Sequence, residues 1–199
     1  SLGDLYWLDF RQSKNSAEEK ATAAKVIDIY QKVLELSRGG DRLLPLLYLA
    51  FTHQIAGKLD EAEDYFIKAI AIEPRNIPAY LQLAGLYESQ KKTDKVVETL
   101  RKALVIEPGA VSVQERLNSL FLAQSPEALL NFYRDLADDF KSSPEMQKLY
   151  AQQLVEQKKL SAAVDVYKRI TELDKLDSDS RVLLAHLLIQ QAKIQQAIP

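Results

Sequence analysis

Apolar residues recur along this chain at helical spacing in short runs, and the runs themselves recur. Leu46, Leu49 and Ala50 fall on one face of a helix; after Gly57-Lys58-Leu59 a second face follows, carrying Ala62, Phe66 and Ala69. Tyr80, Leu83, Ala84 and Tyr87, then Val96, Leu100 and Ala103, fill the same places one period later. The segments 43–76 and 77–110 overlay at that offset, closing on Lys68-Ala69-Ile70-Ala71-Ile72-Glu73-Pro74 and Lys102-Ala103-Leu104-Val105-Ile106-Glu107-Pro108. Each segment predicts a helix, a tight turn and a second helix that stops at its proline, which lacks an N–H and crowds the preceding turn. A unit of about 34 residues in two helices cannot enclose its own core, so stacked copies must share one. The alanines let paired helices approach closely, while Phe66, Tyr80 and Leu100 fill the space between neighbouring units.

Other units follow with departures. In 111–143, Leu117, Leu120 and Phe121 supply a first helix, but the turn reads Ser125-Pro126-Glu127, and the second helix is expected over 128–141, a turn longer than its counterparts, before Pro144. This is a degenerate copy. The unit 144–177 returns to pattern with Tyr150, Ala151, Leu154, Leu160, Ala163 and Tyr167, although Lys175 stands at the proline place. Leu184, Ala185, Leu188, Ile194 and Ala197 continue it into a partial unit, 178–199, with a first helix over 182–190 and a second just begun. Its apolar stretch would lack the neighbour that covers such a face. That reads as an excised fragment, or alternatively as a carboxyl end that pairs with another subunit. Upstream, 17–37 predicts a long amphipathic helix with Ala23, Val26, Ile27, Tyr30, Val33 and Leu34 on one stripe. It reads as the second helix of a divergent pair, 1–42, whose first helix spans 2–11. Asn15 or Ser16 would cap it, and Gly39-Gly40 would supply the left-handed turn after it. The expected organisation is one domain, 1–199.

This pattern resembles the tetratricopeptide repeat, a helix-turn-helix of about 34 residues with large, small and aromatic residues at set places and a terminal proline. The resemblance implies an all-α fold, a right-handed superhelical solenoid of antiparallel helix pairs, acting as a non-catalytic scaffold that binds other proteins. In such a stack the first helices line the inner, concave face. Their inward places here hold Leu47 and Phe51, Leu81 and Gly85, Glu115 and Ser119, Lys148 and Gln152, and Val182 and His186; one turn further on stand Gln54, Glu88, Leu122, Val155 and Ile189. Leu47, Phe51 and Leu81 beside Gly85 would form an apolar pocket for a partner's aliphatic or aromatic anchor. Alternatively the helix 17–37 or the Gly39-Gly40 loop covers them. Glu88 and Glu115 would attract a basic ligand, or are simply solvated. One subset of the family grips the acidic carboxyl tail of heat-shock chaperones with lysine, asparagine and arginine. Those places here hold Leu47, Phe51, Gln82, Ser112 and Arg116, and only Arg116 is of the right kind, so that ligand is not expected.

Charge and chemistry narrow the function further. Net charge is −2, each of 1–110 and 111–199 carries −1, and the densest cationic cluster, Lys91, Lys92 and Lys95, is flanked by Asp94 and Glu98. Phosphate-backbone binding needs clustered cations, so nucleic acid is disfavoured. Without cysteine there is no disulfide, thiolate nucleophile or cysteine zinc site. His53 and His186 fall on the first helices of 43–76 and of the partial unit 178–199, too distant along a solenoid to share a metal. His53 reads as a packed, hydrogen-bonded residue at a place usually held by tyrosine. Asp60, Glu61, Glu63 and Asp64 open a helix, where negative charge is favourable, without the spacing of a calcium loop. No nucleophile with its base and no phosphate cradle can be drawn, so neither enzyme activity nor a cofactor is expected. The longest apolar run, 182–189, is interrupted by His186 and falls far short of the ~20 residues that span a bilayer. The amino end lacks the pattern of a secretory signal, which leaves the compartment open. The expected partner is another protein or a peptide segment. Self-assembly through 182–189 or through the helices around Trp7, and service as the targeting arm of a larger enzyme, are the alternatives.

Overall fold

Ten α-helices and no strand make up the described residues of the computed structural model, 16–123 and 125–197, with side chains described for 22–123 and 125–192. The helices are α1 (Ser16–Leu36), α2 (Leu43–Ile55), α3 (Leu59–Ile72), α4 (Ile77–Ser89), α5 (Thr93–Ile106), α6 (Val111–Leu122), α7 (Pro126–Asp139), α8 (Pro144–Glu156), α9 (Leu160–Leu173) and α10 (Ser178–Ala197). The helix expected over 2–11, with Trp7, and the caps expected at Asn15 or Ser16 lie outside the described residues and side chains, as do the side chains of Ile194 and Ala197. The chain divides into two compact units, Ser1–Glu107 and Pro108–Pro199. In the first, α1 lies on α2, α2 pairs with α3, α3 lies on α4, and α4 pairs with α5. In the second, α6 pairs with α7, α7 lies on α8, α8 pairs with α9, and α9 lies on α10. The architecture is the all-α helical-repeat class.

One turn recurs between the helices of a pair. Gly57, Lys91 and Lys158 hold φ of 75°, 58° and 59°, and the residue after each donates its N–H back along the chain: Lys58 to His53 O at 2.9 Å, Lys92 to Tyr87 O at 3.0 Å and Lys159 to Leu154 O at 2.8 Å. This left-handed closure satisfies carbonyls that the end of a helix leaves open. Gly39, at φ 52°, takes the same region after α1, followed by a 3-10 turn, Gly39–Arg42. Three first helices, α4, α8 and α10, start from side-chain caps. Asn76 Oδ1 accepts from Ala79 N at 3.0 Å, Ser143 Oγ from Met146 N at 3.3 Å and Asp177 Oδ1 from Ser180 N at 3.1 Å.

Two expectations are corrected by the structure, and the missing proline after α9 is accounted for. The second helix of 111–143 starts at Pro126, not Ala128, and ends at Asp139, giving it the same 14 residues as α3, α5 and α9. Ser125 caps it by accepting from Ala128 N at 3.0 Å, and Pro126 occupies the first helical place, where a missing N–H costs nothing. At the end of α9 no proline is needed: Asp174 leaves the helix at φ −125° and its carboxylate accepts from Leu176 N at 3.0 Å, an alternative to continuing the helix. Finally, 178–197 is one uninterrupted helix of 20 residues and does not turn after Gln190. The place held by Gly57, Lys91 and Lys158 falls here on Ala192, the residue that most favours helix and gains nothing from a left-handed turn.

Close approach of the helices rests on side chains of minimal size. Ala62 and Ala84 in the first unit and Ala151 and Ala163 in the second are fully buried, beside Phe66 and Leu100 in the first and Ile170 in the second. Ala185, which repeats the place of Ala151, is exposed on α10. There, among the described side chains, Leu187 is the buried apolar residue, against a core of Leu154, Ala163, Val166, Tyr167 and Ile170.

Candidate functional site

The apolar candidates of the first unit sit beside the core without being absorbed by it. Leu47, Phe51 and Gln54 on α2 and Leu81 and Gly85 on α4 are half-buried, and Glu88, one turn beyond Gly85, is exposed. Phe51 leans its ring edge-on against the fully buried Phe66 of α3, with centroids 5.3 Å apart, which holds one aromatic face in a defined position. The covering helix α1 meets α2 by a different set. Tyr30 stacks on Tyr48 at 4.5 Å and 13°, and Val26, Tyr30 and Leu49 form the cluster with Ile27, Leu34, Tyr48 and Tyr65 around them. Leu47 and Phe51 thus lie half-buried on α2 and Leu81 on α4, two first helices of one unit.

The second unit treats its candidates unequally. Glu115, Gln152, Val182 and His186 are exposed. Lys148 is committed: its Nζ lies 2.6 Å from Asp177 Oδ2, tying α8 to the cap of α10. Hydrogen bonds from the Lys148 ammonium and from Ser180 hold the Asp177 carboxyl at about 2, well below the usual carboxylate range. On α10, Val182 and Ile189 are each 54% exposed, with Leu183 and Leu188 beside them only slightly less so.

Repeat reasoning overlooked a cleft of about 240 Å³ between α3, α4 and α5, lined chiefly by Ile67, Ile70, Tyr80, Leu83, Tyr87 and Thr99. None of the candidates lines it. Its hydroxyls are already used: Tyr80 donates to Pro74 O at 3.2 Å, Tyr87 to Glu63 at 2.8 Å and Thr99 to Lys95 O at 2.7 Å. Lys95 closes on Glu63 at 2.8 Å, a tie between the second helices α3 and α5. Burial pushes the Glu63 carboxyl up, but the hydrogen bonds from Lys95 and Tyr87 outweigh it and hold the group below its ordinary value. The Tyr87 phenol is driven up by burial and by that same carboxylate. Lys159, just before α9, makes a similar tie to Glu127 at the start of α7, at 2.9 Å. A glutamate on one second helix answered by a lysine at the start of the next was the available signal.

His53 is buried, stacked on Tyr65 at 5.2 Å and 28°, but it is not hydrogen-bonded as its place suggested. Neither ring nitrogen has a partner among the described residues. Among the described residues no group of His, Asp and Glu could hold a metal ion, and no helix is long and apolar enough to cross a membrane.

The fold and surface define a helical-repeat protein whose accessible chemistry is apolar contact and ion pairing. Residues 54–117 match the family model of the tetratricopeptide repeat. The match covers about a third of the chain, and the tetratricopeptide fold in general supports protein–protein interaction. Solved structures similar to it include MamA, 15% identical over 79% of this chain and 92% of that one with a TM-score of 0.45. YrrB, a TPR protein with an unusual peptide-binding site, is 15% identical over 85% and 87%, at 0.43. A tetratricopeptide repeat protein from Parabacteroides merdae is 15% identical over 92% and 73%, at 0.49. No curated protein matches the sequence.

Proposed function

We propose that this chain is a non-catalytic scaffold that receives an extended or helical segment of another protein along the inner face of its first helices. The observation that supports it most is the half-buried apolar set Leu47, Phe51 and Leu81, with Gly85 one turn from Leu81. Such a set offers shape and a few anchors, which is how most binding energy concentrates at an interface. Gln54 and Glu88 extend the face with polar contacts, and Glu115, Gln152, Val182 and His186 are the corresponding contacts of the second unit; Lys148, engaged by Asp177, contributes its stem more than its charge. The test is a Leu47→Glu, Leu81→Glu double variant with unchanged helical circular dichroism, used in a pull-down from the native extract. Loss of proteins captured by the wild type supports the reading. Capture of the same set refutes it.

A second reading is favoured by the exposed Val182, Leu183, Leu188 and Ile189 of α10, an apolar face of the kind that joins copies of a chain. Light scattering over a range of concentrations then gives a dimer that a Val182→Glu, Ile189→Glu variant abolishes, whereas a persistent monomer rejects it.

A further inference from the structure

We propose that His53 makes the joint between α2 and α3 acid-sensitive, so that lowering the pH through the histidine range loosens the first unit while leaving the second intact. The imidazole is 6% exposed, held by its stack on Tyr65, and both ring nitrogens are without a partner among the described residues. One repeat on, the same place is held by Tyr87, whose hydroxyl reaches Glu63 at 2.8 Å; no such acceptor meets His53. A neutral imidazole leaves one donor and one acceptor unused here, whereas the protonated ring would bury two donors and a charge. The charged groups facing it are Lys58 in the turn and Glu61 in the first turn of α3, while Tyr65 covers one ring face. Burial, and after it Lys58, outweigh Glu61 and keep the ring neutral to a lower pH than a free histidine.

His53 also closes the turn, because its carbonyl accepts from Lys58 N. A ring that must leave its slot to take up a proton therefore pulls on the connection from α2 to α3. The sign follows from linkage. Above the ordinary histidine value of 6.5 folded and unfolded chains are both neutral and His53 contributes no pH dependence. Below it the unfolded chain binds a proton that the folded chain refuses, and stability falls until the lower folded value is reached.

Amide hydrogen exchange on the whole chain at pH 7.5 and 5.5, corrected for intrinsic rates, tests this. Protection of α2 and α3 is expected to drop several-fold at the lower pH while α8 and α9 hold theirs. His53→Tyr, the side chain found one repeat on, removes the difference, and His53→Gln serves the same purpose if the tyrosine does not fit. Equal changes in both units, or a drop that persists without the histidine, overturns the proposal.

Discussion

Two lysines pay a conformational penalty that a glycine at the same place avoids, and the penalty can be measured. Lys91 and Lys158 sit at φ 58° and 59°, matching Gly57 at 75°. A side chain in this region costs roughly 1–2 kcal/mol because Cβ meets the following carbonyl oxygen. Glycine escapes that contact but loses roughly 0.5–1 kcal/mol more backbone freedom on folding. Lys91→Gly and Lys158→Gly should therefore each stabilise the protein by about 0.5–1 kcal/mol, and Gly57→Ala should destabilise it by a similar amount. A Cβ at Gly57 meets nothing within 4 Å, so the alanine effect is backbone conformation and not a clash. Both lysines are exposed, so little packing is lost with them. Urea titration followed by helical circular dichroism resolves the change as a shifted midpoint at constant slope, and in a chain of this size about 1 kcal/mol moves the thermal midpoint by about 2–4 °C. A lower midpoint for either lysine variant, or an unchanged one for Gly57→Ala, would refute the reasoning.

The Asp177 carboxyl, at about 2 when folded against its ordinary 3.8, contributes stability that is fully present above about pH 4 and lost as the pH falls toward 2. Solvent around the partly exposed Lys148 reduces this to about 1 kcal/mol, and Asp177→Asn should remove most of it, as denaturant midpoints between pH 2 and 6 will show. Tyr87→Phe should cost about 1 kcal/mol by deleting a bond to a carboxylate that keeps Lys95 as partner; a double-mutant cycle with Glu63→Gln should return a coupling of about 0.5–1.5 kcal/mol, and additivity would show that the bond adds nothing.

Much of the fold was legible because packing places repeat. The overlay of 43–76 on 77–110 located the turn at Gly57 and the ends of α3 and α5 before Pro74 and Pro108, and the buried alanines followed from the same register. The failures have local causes. Pro126 was read as an interruption, yet at the first place of a helix it is compatible, so α7 has ordinary length. The periodic apolar places of 178–199 suggested a turn that Ala192 does nothing to encourage. The functional surface was harder to read, since exposure follows from register but pairing does not. Lys148 occupies an inward place by spacing, and its charge is taken by Asp177, a loop residue outside the helix pattern. His53 fills a tyrosine's place by size, while its lack of a hydrogen-bond partner depends on neighbours that spacing does not specify.

The ties between alternate helices bear on how such a chain can grow. Glu63 reaches Lys95 and Glu127 reaches Lys159, each across 32 residues, although Lys95 lies inside its helix and Lys159 just before its own. At the place of Lys95 the preceding unit has Glu61, and at the place of Glu63 the following unit has Val97. Duplicating 43–76 alone would bring Glu63 against a copy of Glu61, carboxylate to carboxylate. Copying 43–76 and 77–110 together keeps each Lys95 beside its own Glu63, so growth by that pair preserves the tie.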